Sequence, residues 1–336
     1  MKIKNIALSA AAIGERVVKA IAIGAVEVWS AVKYIIFKDK VVEQICATKW
    51  GDGVGITEEQ AAAVTDLGTV FTGNTDITSF EELKYFTNLK AIGYYSLQNC
   101  TSLAEITFPT SITKCDTGAF AGCTALKTIH VDSIEQWLSI DFIVESGTPL
   151  YYGGTLYIDN NPLVELIVPN TITTIKQFAF YGCKSITKVV LHDGVTSIGS
   201  SAFSSCSSLT SINIPNSVTT LGSNAFMNSG IESFVCPSSI TVIETNLCRY
   251  TSKLKIVDLP NTITQIKDRA FANTAAKEFI CRAINPPALG AYVFFEGIPT
   301  IYVPDESVDA YKSDENWGVW TSKINPLSQY VEPTNE

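Results

Sequence analysis

Histidine and methionine are nearly absent from this chain, at two residues each in 336. Charge is also sparse, at 17% of residues. The two histidines, His130 and His192, stand far apart, and neither has a dependable acidic neighbour in sequence. No Gly-x-Ser-x-Gly elbow, phosphate loop, dinucleotide fingerprint or Cys-x-x-Cys pair occurs. These shortages exclude the common routes to nucleophilic, nucleotide-dependent and metal-assisted catalysis. The adjacent pairs Glu58-Glu59 and Glu81-Glu82 read as solvated faces, and only Asp141 and Glu145 are spaced to flank a sugar. The chain therefore reads as no enzyme, with no cofactor and no metal. No apolar run approaches the ~20 residues of a membrane span. Acidic residues exceed basic ones, 33 to 24, for a net charge of -9. Such a surface repels phosphate, so nucleic acid is not an expected partner.

Hydrophobic residues, by contrast, make up 46% of the chain. They recur on a fixed ruler. Take as marker the position of Phe86, Pro109, Asp132, Pro169, His192, Pro215, Pro237, Pro260, Arg282 and Pro304; the steps are 23, 23, 37, 23, 23, 22, 23, 22 and 22 residues. In the unit LTSINIPNSVTTLGSNAF, Leu209, Ile212 and Ile214 lie on one face of a short strand. Pro215 cannot donate to a ladder and ends it. Val218 and Leu221 turn inward, and Ala225 and Phe226 close the coil. A single coil of this length cannot bury its own apolar side, but a stack of them can. Phe120, Phe180, Phe203 and Phe226 are thus expected in one internal column.

Cysteine follows the same ruler. Cys100, Cys123, Cys183 and Cys206 each lie three residues after the Phe position, where later coils carry Ser229, Thr251 and Thr274. A site that accepts Cys, Ser or Thr is small and buried, with a weak donor for a neighbouring carbonyl. The odd total of nine argues against a complete disulfide framework.

The unit Leu-x-x-Ile-x-apolar-Pro, then Val-Thr-x-Ile, then Ala-Phe-x-x-Cys resembles the BspA-like leucine-rich repeats, also called the treponemal type. The match runs from Phe80 to Pro304, with departures at Asp132, His192 and Arg282 for proline and at Cys248 for phenylalanine. The resemblance implies a right-handed, strand-lined leucine-rich-repeat solenoid of about nine coils, and a non-enzymatic role in adhesion or partner recognition. The segment IYVPDESVDAYKSDENWGVWTSKINPL resembles the closing piece of such proteins. Ser307 is expected to start a short helix there, with Val308, Tyr311, Trp317 and Trp320 covering the last coil. A sugar-stacking role is the alternative for the two tryptophans.

The first fifty residues obey a different ruler. Ile13-Gly14 and Ile23-Gly24 are ten apart, and apolar residues alternate around them. With a turn at Lys38-Asp39-Lys40, this predicts two or three β-hairpins that pair with another chain. VVKAIAIGAVEVW resembles segments that attach β-rich units to bacteriophage particles; the resemblance implies anchoring by Ile13, Val18, Ile23, Val28 and Trp29. The start MKIKNIALSAAAIG also resembles a secretory signal, though Ser9 interrupts its apolar stretch and Glu15-Arg16 close it. The expected organisation is a hairpin module over 1–50, a linker and cap over 51–79, a solenoid over 80–304 with an insertion at 133–162, and a C-terminal cap over 305–336.

The outward strand positions supply one candidate contact face: Glu105, Thr107, His130, Lys188, Asn213 and Asp258. The insertion supplies another, through Trp137, Tyr151, Tyr152 and Tyr157, which suit sugar or protein recognition. The function expected is a virion protein of fibre or decoration type, attached to the particle at its N-terminus and adhering to a host-surface protein or glycan. It would be a homo-oligomer. A bacterial surface or secreted adhesin is the alternative.

Overall fold

A computed structural model describes residues 16–23 and 26–332, with the backbone alone described over 16–31. Ile13 lies outside the described residues, as do the side chains of Val18, Ile23, Val28 and Trp29. Strands β1 (Arg16–Ile23) and β2 (Val26–Lys33) pair antiparallel, from Arg16↔Lys33 to Ile23↔Val26. Lys38-Asp39-Lys40 is not a hairpin turn. Asp39 is the N-cap of helix α1 (Lys40–Lys49), its carboxylate accepting the Val41 and Val42 N–H groups at 2.8 and 3.2 Å. Aspartate at an N-cap favours a helix start over a strand connection, and α1 buries Val42, Cys46 and Ala47. Ile35, Phe37, Val42 and Cys46 join the same core as Phe71 and Phe80. The N-terminal cap of the solenoid therefore includes the segment 35–49, which the sequence had placed in the hairpin module. Helix α2 (Glu58–Ala62) starts on a capping box, with Thr57 and Gln60 bonded reciprocally.

Asp39 also ties the cap to the first coil. Its second oxygen accepts from Thr78 N at 2.6 Å and Thr78 Oγ1 at 2.8 Å. Burial works against this carboxylate's charge, but the donors of Thr78, Val42 and Val41 outweigh it and hold its pKa below the aspartate range. The folded value lies below the unfolded one, near 3.9. The tie thus contributes fully above that value and is lost as pH falls through the folded pKa. Asp39→Ala is expected to cost about 2–3 kcal/mol at neutral pH. Urea midpoints at pH 7 and pH 3 check this: the gap between wild type and variant narrows at pH 3, and a gap of constant size would remove the charge from the explanation.

From residue 79 onward each coil has three sides. The first carries strands of two to four residues in parallel register, such as Glu165↔Lys188↔Ser211 and Ile256↔Glu278↔Thr300. The second carries two-residue strands, such as Thr174↔Ser197↔Thr220. The third is a tight turn holding two left-handed residues four apart, for example Gly118 and Gly122, Phe178 and Gly182, Ser201 and Ser205, Asn224 and Asn228. Turn N–H groups donate to the next coil, as in Phe203 N to Ala225 O and Ser205 N to Met227 O, at 2.9 and 2.8 Å. All three sides are thereby laced coil to coil.

The expected column is present from Phe180 to Phe226, whereas Phe120 stacks on Phe108 at 6.0 Å and 16°. Phe180 and Phe203 stack at 5.5 Å and 6°, and Phe203 and Phe226 at 6.0 Å and 4°. Where Cys248 replaces phenylalanine, Phe234 of the neighbouring strand fills the gap, 6.1 Å from Phe226 and 6.2 Å from Phe271. All nine cysteines are free and buried. Cys100, Cys123 and Cys206 donate to Phe71 O, Leu97 O and Phe180 O at 3.1, 2.9 and 3.0 Å, and Thr251 does the same to Phe226 O at 3.0 Å. Burial pushes the thiols of Cys115, Cys206 and Cys248 well up, which leaves them protonated and unreactive.

The insertion is itself a coil. The 37-residue step divides into a 27-residue coil, Thr128↔Thr155, and a ten-residue hairpin from Thr155 to Glu165. The extra length holds helix α3 (Ile134–Ser139), capped by Ser133. Asp159 and Asn160, both left-handed at φ 49° and 61°, make the hairpin turn. Lys176 seals this coil to the next through Asp141 at 2.7 Å and Ser139 O at 2.6 Å. At the far end Ser307 precedes helix α4 (Val308–Ser313), and Tyr311 and Trp317 are fully buried over the last coil.

Candidate functional site

Trp137 is not a contact residue. It is fully buried between Phe108 and Phe142, and its Nε1 donates to Ala179 O at 2.9 Å. Tyr151 and Tyr152 pack on the solenoid flank. Tyr151 stacks on Tyr181 at 5.6 Å and 8°, and the Tyr152 hydroxyl accepts the Gly122 N–H at 2.8 Å. A helix-length addition whose apolar side can reach the common interior is drawn into it, which sequence position alone does not reveal.

The strand face is different. Register places Thr107, His130 and Tyr157 in one row across three successive coils. The His130 and Tyr157 rings lie 5.2 Å apart, and His130 Nε2 is 3.0 Å from Glu105 Oε1. Lys38 bridges Glu81 and Glu105, 2.7 Å from the latter. Hydrogen bonds to Glu105 and Glu81 push the Lys38 pKa up. Burial raises the Glu105 carboxyl, but the hydrogen bond and charge of Lys38 and the hydrogen bond of His130 outweigh it and hold it below the glutamate range. An ionised Glu105 only accepts, so His130 Nε2 carries the proton that it donates. Glu81, Glu105, Thr107 and His130 line a depression of about 300 Å³ with Lys84, Asp132, Asp159 and Asn160.

Four of the residues expected to make contact are thus brought together: Glu105, Thr107, His130 and Tyr157. Lys188, Asn213 and Asp258 lie further along and tie coils together. Lys188 pairs with Glu165 at 2.8 Å. Asn213 brackets Leu191 through its N–H and carbonyl, both at 2.9 Å. Asp258 holds Arg282 with two bonds of 2.8 Å. The sequence reading missed Lys38, Lys84, Asp159 and Asn160, because the cap and the hairpin turn stand outside the ruler. It also read Glu82 as solvated. Glu82 is buried, and its Oε1 accepts the Lys38 N–H at 3.0 Å. His192 stands in for proline by structure: its Nδ1 accepts from Gly194 N, so its Nε2 donates toward Pro169 O and Ile172 O, all at 3.0 Å.

A family model described as a BspA type leucine rich repeat region matches residues 70–141 and 156–294, in six copies. The chain belongs to the BspA-type leucine-rich repeat family. The parallel sheets stacked coil on coil are the solenoid of that family, a fold consistent with adhesion. The chain is similar to a leucine-rich repeat protein of Bacteroides ovatus at 17% identity, over 77% of this chain and 86% of that one, with a TM-score of 0.40. It is similar to a leucine rich cell surface protein of Faecalibacterium prausnitzii at 19% identity, over 77% and 80%, with a TM-score of 0.32. For the pneumococcal vaccine antigen PcpA the values are 16%, 72% and 65%, with a TM-score of 0.38. No curated protein matches the chain. Among the described residues no helix is long and apolar enough to cross a membrane.

Proposed function

We propose that this BspA-type solenoid is a non-enzymatic adhesion protein whose strand face binds a surface protein or glycan. The observation that carries the reading is the row of Thr107, His130 and Tyr157 beside Glu105, of which Thr107, His130 and Glu105 line a polar depression. The Lys38–Glu105–His130 chain fixes the imidazole at the middle of this row, so little of its freedom is lost when a partner binds. On this reading β1 and β2 form the attachment end. A two-stranded hairpin is marginal alone, so it pairs with another chain, either in a homo-oligomer or on a phage particle. The family match across the solenoid favours a second location, the bacterial surface or the secreted pool.

Binding of labelled protein to bacterial cells and to a glycan array tests the reading. His130→Ala with Tyr157→Ala is expected to weaken binding by about tenfold or more, roughly 1.4 kcal/mol, with an unchanged melting temperature. Undiminished binding would move the contact elsewhere. Mass spectrometry of purified particles against cell envelopes separates the two locations.

A further inference from the structure

The last coil and the C-terminal cap leave a groove of about 790 Å³ between them, at the opposite end from the strand-face row. One wall is the final turn, where Tyr292 and Phe295 are exposed. The other is the 3-10 segment Trp317–Lys323, where Val319 is exposed and Trp320 is half-buried. The two tryptophans have different roles. Trp317 is fully buried, and its Nε1 donates to Pro287 O at 2.8 Å. Trp320 lines the groove, edge-on to Phe294 at 5.0 Å and 76°, and its Nε1 has no acceptor among the described residues.

The same groove holds Glu315, Asn316 and Lys323. None of their side chains pairs with another described residue, which leaves their donors and acceptors open to the groove. Aromatic walls next to unspent donors and acceptors of both kinds match one ligand chemistry. A pyranose has a C–H face that lies on an aromatic ring and a rim of hydroxyls that both donate and accept. An apolar face of a second copy would strip water from Glu315, Asn316 and Lys323 and return no hydrogen bonds. An anionic ligand would meet Glu296 and Glu315.

We propose that this groove binds a neutral, β-linked oligosaccharide. One ring stacks on Trp320, and Trp320 Nε1, Glu315, Asn316 and Lys323 hold the hydroxyls. Equatorial substituents give such sugars the flattest C–H faces, which suits stacking. The site stands apart from the strand-face row and does not depend on that row binding anything.

Calorimetric titration of the full-length protein with cellotetraose and with chitotetraose tests it, with tryptophan fluorescence as a second readout. Saturable binding of at least one sugar is expected. It should weaken by about tenfold or more in Trp320→Ala, roughly 1.4 kcal/mol, and weaken less in Trp320→Phe. Glu315→Ala with Asn316→Ala changes only exposed residues, so it keeps the fold and is also expected to lose affinity. Binding that is equal in all variants would overturn the proposal, as would no saturation by about 10 mM of either sugar. A dimer that Val319→Asp dissociates would assign the groove to a second copy and overturn it too. Loss of cell binding in the His130 and Tyr157 variants, with sugar titration intact, would separate the two surfaces.

Discussion

Phe203→Ala is expected to destabilise the solenoid by about 4 kcal/mol, within the 3–5 kcal/mol typical of a buried phenylalanine. The ring is fully buried and stacked on both sides, by Phe180 and by Phe226. A solenoid is held by its coils and by the interfaces between neighbours, and this one truncation weakens two interfaces at once. The loss should therefore appear as broken cooperativity. Urea unfolding followed by hydrogen exchange should show the two flanking parts of the array separating into distinct transitions. A single transition shifted by less than about 1 kcal/mol would mean that the column does not link the coils.

Trp137→Ala is expected to cost about 4 kcal/mol from lost burial, and to leave the Ala179 carbonyl without its donor, a further penalty of about 1–3 kcal/mol. Together these should detach the insertion coil from the coil that follows, because the indole spans that junction. Trp137→Phe keeps most of the apolar volume and loses the hydrogen bond, so it should cost less. Proteolysis within 133–162 and the urea midpoint measure both variants. Binding per folded molecule should not change, since the indole presents no surface to a partner. A fully stable variant that failed to bind would restore Trp137 as a contact residue.

The coils were legible because proline, leucine and phenylalanine each have one physical duty at a fixed place in every turn. Pro215, Phe226 and their counterparts report the strand end and the core directly. The cysteine positions were readable for the same reason: Ser229, Thr251 and Thr274 show what the site tolerates. The strand-face row was half visible. Parity put Glu105, Thr107 and His130 outward, but Tyr157 joined them only through the 27-residue register. Lys38 was hidden because Asp39 starts a helix where the flanking charges suggest a turn. Trp137 misled because aromatic residues in an insertion look like contacts until the backbone shows which way they face. The replacement of Cys248 by Phe234 was invisible too, since the two exchange volume across different sides of a coil.

The seam is nearly the same at the paired steps of 22 or 23 residues, as at Glu165↔Lys188 and Glu278↔Thr300, with the ladder interrupted between Ser211–Asn213 and Ser233–Val235. Each coil advances the stack by about 4.8 Å, the spacing of adjacent strands. Whole coils can then be gained or lost by duplication or deletion without disturbing the apparatus at either end. The distance between the N-terminal and C-terminal caps becomes an adjustable quantity, set by copy number and not by redesign of any single turn.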